Sequence, residues 1–254
     1  MNPVAQFLEA VRFLTRLPLP QSSEKSIALN DSFWMFPVVG AVIGTFTGMV
    51  LWAGLSVGLP SFLATLIAVG GTIVLTGALH EDGLGDVADG FGGGQTRENK
   101  LAIMRDSQLG TYGVLCLLLM MAARLGVIVA LIVTFPPLLT MLVLIAGAAI
   151  SRAAMVGIVS HLPPARVDGL AATLLPSGAN SILAYAVALA IAVVALLPVL
   201  TVLNTAISLI FAVIATVLFA VLALRQIGGH TGDVAGAAQQ IAEISFLMTV
   251  VALI

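Results

Sequence analysis

HEDGLGDVADGFGGGQTRENKLAIMRDSQLGTYG, residues 80–113, carries six of the twelve acidic residues in a 254-residue chain: Glu81, Asp82, Asp86, Asp89, Glu98 and Asp106. Apolar segments long enough to cross a membrane flank it on both sides. Read as a helix, its first half places Asp82, Asp86 and Asp89 at i, i+4 and i+7, on one face. Three carboxylates on one face repel one another unless a cation lies between them. Hard divalent cations take oxygen ligands, and Mg²⁺ combines a few carboxylates with substrate phosphates. Gly83 and Gly85 each weaken such a helix by about 1 kcal/mol, and their use is close approach of a neighbour or a substrate. Gly90 and the run Gly92, Gly93, Gly94 end it.

The chain as a whole is 60% hydrophobic and 9% charged, where a soluble domain carries about 25% charged residues. This predicts an all-α, polytopic membrane protein with the lipid bilayer as its solvent. A net charge of −2 gives no reason to expect nucleic acid as a partner. The lone Cys116 excludes an intrachain disulfide and a cysteine metal cluster.

Glu9, Arg12 and Arg16 interrupt the apolar core that a signal peptide needs. Val4, Phe7, Leu8 and Val11 instead predict a short amphipathic helix at the interface, stopped by Pro18 and Pro20, with a polar loop over 21–32. Seven spans of the ~20 residues that cross the hydrocarbon core follow, at about 33–56, 61–79, 112–133, 137–157, 181–200, 204–224 and 234–254. The chain reads as one integral membrane domain, 1–254, with 1–32 as an N-terminal segment and 80–111 as a cytoplasmic acidic segment for catalysis. Short uncharged links alternate with the long polar links 80–111, 158–180 and 225–233, so the long ones share the N-terminal side. That side carries Arg12, Arg16, Lys25, Arg97, Lys100, Arg105 and Arg166, and the short links carry no Lys or Arg. The positive-inside rule places it in the cytoplasm.

Other polar groups fit the same picture. Asp106 is a further candidate metal ligand, and the planar guanidinium of Arg105 suits phosphate oxygens. Arg124 and Arg152 fall inside apolar runs, where each costs at least ~2.5 kcal/mol unless partnered. They must face the bundle interior, a cavity or the interface, and a carboxylate or a phosphate is the natural partner; snorkelling from a span end is the alternative for Arg152. Arg166 and His161 lie in the third link; His161 is read as a substrate contact, and Arg166 and Asp168 are placed to pair. Gly228 and Gly229 form a turn, and Thr231 or Asp233 caps the last helix. Asp233, Gly236, Gln240 and Glu243 line one polar face of that helix, which should look inward. Carboxylates for Mg²⁺ beside arginines suit a diphosphate or phosphodiester substrate, and thus phosphoryl-group transfer to an alcohol.

The blocks FLTRLPLP (13–20), HEDGLGDVADGFGGG (80–94), MRDSQLGTYG (104–113) and GGHTGDVAGA (228–237) resemble, in order, those of the cobalamin synthase (adenosylcobinamide-GDP ribazoletransferase) family. The resemblance implies an Mg²⁺-dependent membrane transferase that joins adenosylcobinamide-GDP to α-ribazole or its 5′-phosphate and releases GMP. Assigned position by position and not by the resemblance, Asp82 and Asp86 are the first expected metal ligands, with Asp106 and Asp233 as further ones. Asp89 is a ligand or the general base, and His80 a base or a partner to a ligand. Arg105 and Arg152 hold phosphates. Arg124, Arg166, His161, Gly228, Gly229, His230 and Thr231 make up the expected substrate contacts. A homo-oligomer is left open. Two alternatives stand beside this reading. A CDP-alcohol phosphotransferase would use similar chemistry, but no Ala-Arg follows Asp82-Gly83 as its motif requires. A transporter would show charged or broken helices near the midplane.

Overall fold

The computed structural model describes residues 2–19, 29–168, 173–174 and 177–254. Among these the regular elements are helices: α1 (Pro3–Leu14), α2 (Leu29–Ser32), α3 (Phe36–Ser56), α4 (Ser61–Thr76), α5 (Leu79–Gly93), α6 (Arg97–Ile103), α7 (Thr111–Thr134), α8 (Pro137–His161), α9 (Gly178–Leu196), α10 (Val202–Ile227) and α11 (Gly232–Ala252). Most of the polar stretch 21–32 and parts of the 158–180 link, with Pro20, Lys25 and Gly169, lie outside the described residues.

The protein is an all-α, multi-pass membrane protein. Six helices are long and apolar enough to span: α3 with its lead-in, α7, α8, α9, α10 and α11. The expected span at 61–79 differs. It stops at Thr76, and α4 and α5 meet the requirement only as a pair bent by 88°. Gly77 (φ 66°) and Ala78 (φ 57°) both adopt left-handed backbone there and make the bend. The acidic stretch is therefore no free link. It is a helix packed against α7 and α11.

Helix α8 is the axis of the bundle, in contact with α3, α9 and α11. Gly40, Gly44 and Gly48 of α3 form a stripe at i, i+4 and i+8 that faces it. A Cβ on Gly44 would stand 2.7 Å from both the Leu144 carbonyl oxygen and the Ile145 Cα. Small residues let backbones approach where apolar side chains gain nothing by leaving lipid. Gly44→Val should therefore force the helices apart and cost about 1–3 kcal/mol. Thermal unfolding in detergent would show this as a lowered midpoint, and an unchanged midpoint would deny the contact. On α7 and α10, Leu118, Leu119, Phe211 and Leu218 point outward, as lipid-facing side chains should.

The N-terminal helix is present. Asn2 caps it, Pro3 opens it, and Gln6, Ala10, Val11 and Leu14 form its buried side. The Arg16 N–H donates to the Leu75 carbonyl at 2.7 Å, which ties this segment to the end of α4. Two apolar clusters fill the bundle, one around Phe33, Phe36 and Val234, the other around Leu131, Phe246 and Val250. A small polar cavity lies where they meet, walled by Ile43 of the first and by Ile128 and Leu144 of the second.

Candidate active site

The face predicted from the i, i+4, i+7 spacing divides in space. Asp82 is exposed, Asp86 half-buried and Asp89 buried. Asp86 stands in the field of Asp82, Asp233 and Asp89, with Arg166 as the one opposing charge acting on it. Asp233 arrives from the first turn of α11, where the Thr231 Oγ1 accepts from the Val234 N–H at 3.2 Å and donates to Asp233 Oδ2 at 3.1 Å. Thr231 is thus the cap, and Asp233 is left for the site. Gly83 makes the meeting of α5 and α11 possible, because a Cβ there would lie 2.8 Å from the Asp233 carbonyl oxygen.

This donor set suits a hard divalent cation in chemistry: oxygen ligands only, with negative charge in excess. Among the described residues, however, no three His, Cys, Asp or Glu side chains stand close enough to form a ready cage. Asp82, Asp86 and Asp233 are the carboxylates that act on one another across this face.

Arg166 borders this face. It donates to the Leu101 carbonyl at 2.8 Å, while its buried Nε has no hydrogen-bond partner among the described residues. Burial lowers its pKa and the Asp233 charge opposes the shift, so the guanidinium stays protonated. Arg105 is exposed and its Nη2 reaches both oxygens of Asp168 at 2.7 Å. Those hydrogen bonds hold the Asp168 carboxyl below its ordinary pKa.

Several expected roles are corrected. Asp89 is only 7% exposed. It accepts from the Gly110 N–H at 2.7 Å and the Gly113 N–H at 2.8 Å, so both oxygens cap the start of α7. That leaves it neither a free ligand nor a free base. Asp89→Ala would strand two amides and should cost about 2–3 kcal/mol. A lowered unfolding midpoint tests this, and an unshifted one would return Asp89 to the ligands. Asp106 is exposed, accepts from the Gln108 N–H at 3.0 Å, and is absent from the charges that act on Asp86. His161 ends α8, where its Nδ1 lies 2.9 Å from the Gly157 carbonyl oxygen and 3.4 Å from the Tyr185 hydroxyl. It borders an apolar groove of about 530 Å³ between α8, α9 and α10 instead of the carboxylates.

His80, Arg124 and Arg152 lie deeper, around the small polar cavity. Arg124 donates to Gln240 Oε1 at 2.8 Å and to Glu81 Oε1 at 3.3 Å. Arg152 donates to Glu243 Oε2 at 3.1 Å and to the Ser151 hydroxyl at 3.1 Å. Gln240 returns a bond to Glu81 at 2.9 Å, and Gln239 donates to Glu243. Carboxylates, not a phosphate, are thus the partners of both arginines, and the polar face of α11 does look inward. His80 Nε2 has no hydrogen-bond partner in this cluster. Neither Arg152 nor His80 meets the acidic face.

The remaining turn is a scaffold. Gly228, with φ 76°, ends α10. A Cβ on Gly229 would strike the Pro163 carbonyl. The His230 N–H donates to Pro163 O and the Ala165 N–H to His230 O, both at 2.8 Å. His230 is buried, and burial lowers its pKa. Arg97, which sequence reasoning took only for a positive charge, binds the Ile227 carbonyl at 2.8 Å and the Ala165 carbonyl at 2.6 Å. It joins three links of the polar end. Its charge was visible in the sequence, but its partners lie 130 and 68 residues away.

Fold and site together define a polytopic helical membrane protein that gathers carboxylates and arginines at one polar end. A family model described as cobalamin-5-phosphate synthase (CobS) matches residues 6–251, and the chain belongs to that family. Similar proteins named adenosylcobinamide-GDP ribazoletransferase include that of Bradyrhizobium diazoefficiens, 40% identical over 253 residues, which cover 99% of this chain and 95% of the relative. That of Azorhizobium caulinodans is 41% identical over 246 residues, covering 95% and 93%. That of Xanthobacter autotrophicus is 42% identical over 272 aligned positions, covering 98% and 97%. No solved structure matches the chain.

Proposed function

We propose that the chain joins adenosylcobinamide-GDP to α-ribazole or its 5′-phosphate at the crossing of α5 and α11, in the assembly of the cobalamin nucleotide loop. The name shared by its relatives supports the reaction. One structural observation carries the choice of place: Asp86 sits among Asp82, Asp233 and Asp89 with Arg166 as its one counter-charge.

Asp82, Asp86 and Asp233 would hold Mg²⁺, which would supply positive charge against the oxygens of the transferred and leaving phosphates. The ribose 3′-hydroxyl oxygen of the acceptor attacks the cobinamide-side phosphorus. The bond from that phosphorus to the bridging oxygen breaks, and GMP leaves with that oxygen. The hydroxyl proton passes to a carboxylate of this face, where Asp86 is central. Arg166 and Arg105 hold phosphate oxygens in a geometry that guanidinium groups favour. The positive-inside count supports a cytoplasmic position for this end, on the side of the soluble acceptor. The bend between α4 and α5 is a feature a transporter would share, but the charges deep in the bundle do not favour transport, because Arg124 and Arg152 are bound to Glu81 and Glu243.

Turnover by purified protein in lipid tests the reading, with adenosylcobinamide-GDP, each acceptor in turn, and Mg²⁺ or excess EDTA. GMP release that stops with EDTA and returns with Mg²⁺ is the expected result. Release that is indifferent to EDTA would remove the metal, and no release from folded protein would remove the reaction.

A further inference from the structure

Between α6 and the link at 163–168 lies an open cleft of about 540 Å³. Three guanidinium groups line it, those of Arg97, Arg105 and Arg166, with the carboxylates of Glu98 and Asp168 beside them. Arg97 is committed to backbone carbonyls. Arg166 spends one nitrogen on Leu101, and among the described residues its Nε is unpartnered. Among the described residues Arg105 is engaged by Asp168, both of whose oxygens lie at 2.7 Å from the same guanidinium nitrogen. That pair is solvated, with side chains 52% and 65% exposed, and an exposed pair is weakly held. The cleft is of the size that takes a small molecule.

We infer that this cleft seats the phosphate of a guanosine nucleotide, the leaving half of the donor, and that Asp168 occupies the phosphate position until the nucleotide displaces it. A carboxylate and a phosphate offer a guanidinium the same paired oxygens, and the phosphate brings more charge. Arg166 fixes the orientation. Arg166 lines the cleft and is acted on by Asp233 and Asp86 of the acidic face as well as by Arg105 and Asp168, so the one guanidinium serves both. A nucleotide phosphate at Arg105 and Arg166 thus lies against the carboxylates, where the scissile bond must be. The inference rests on the reaction proposed above, and it adds that Asp168 works against nucleotide binding.

The test is calorimetric titration of GMP into the full-length protein in lipid nanodiscs with Mg²⁺, alongside turnover. Arg105→Gln should weaken GMP binding about tenfold, the loss of one charged contact. Asp168→Asn should tighten it by about two- to fivefold, the change expected when an exposed ion pair is released. The KM for adenosylcobinamide-GDP should move in the same directions. Arg105→Lys should fall between wild type and Arg105→Gln, because it keeps charge and loses the fork. A pair that only fastened α6 to the link would make Asp168→Asn neutral or weaker for GMP, and that result overturns the proposal. So does a wild type that binds no GMP. Normal turnover with unmoved GMP affinity in both variants would sink the cleft and leave the reaction standing. GMP binding that follows the predicted order without any turnover would do the reverse.

Discussion

Arg124→Ala is expected to destabilise the protein by about 3–5 kcal/mol, the cost of removing one partner from a buried ion pair. Arg124 is only 5% exposed. It neutralises Glu81 at 3.3 Å and stands 3.7 Å from Glu243. Without it, two carboxylates share the single guanidinium of Arg152, far from water. The damage should spread to function, since Glu81 is the residue before Asp82 on α5. Unfolding in mixed detergent measures the loss. A double variant, Arg124→Ala with Glu81→Gln, should recover part of it, because the stranded charge goes too. Loss of less than about 1 kcal/mol in Arg124→Ala would place the pair with exposed ones and deny that the cluster holds α5.

Asp86→Asn should move activity and stability in opposite directions. If Asp86 holds the ion or accepts the proton, kcat should drop by at least about 10²-fold, the lower range for losing such a group. Yet Asp86 is crowded by three carboxylates and opposed by one arginine. Removing its charge relieves repulsion, so the unfolding midpoint without Mg²⁺ should hold or rise, as when a strained functional group is neutralised. Asp82→Asn should follow the same course with a smaller rise, because Asp82 is exposed. A variant both inactive and less stable would make Asp86 a structural residue.

The acidic helix could be read from spacing alone, because one face of three carboxylates is a local pattern. The inward turn of Arg124 and Arg152 could be read as well, since lipid penalises a charge whatever the fold. Their partners could not. Glu81 and Glu243 lie 43 and 91 residues from them along the chain, and only the assembled bundle selects them. Asp89 misled for a related reason. Its helical position matches that of Asp82 and Asp86, but its acceptors are taken by amides 21 and 24 residues away. The bend after Thr76 was hidden because Gly77, Ala78 and Leu79 are all apolar, so hydropathy runs straight through two left-handed residues. The stripe of Gly40, Gly44 and Gly48 was hidden inside an apolar span, where glycine is unremarked until a neighbouring backbone is known.

The pairing of Arg152 with Glu243 also sets an order of assembly at the ribosome. Arg152 emerges 91 residues before the carboxylate that neutralises it. Helix α11, which brings that carboxylate with Gln239 and Gln240, is the least apolar of the six long helices. On its own each is a poor guest for the insertion machinery, since a central charge costs about 2.5–3.5 kcal/mol on leaving it. Helix α8 must therefore wait beside the translocon, or find Glu81 first, until α11 arrives. Arg152→Leu should ease the entry of α8 and strand α11, lowering the fraction of chains whose C-terminal tag crosses the bilayer. A tag fraction equal to wild type would mean that α11 enters unaided.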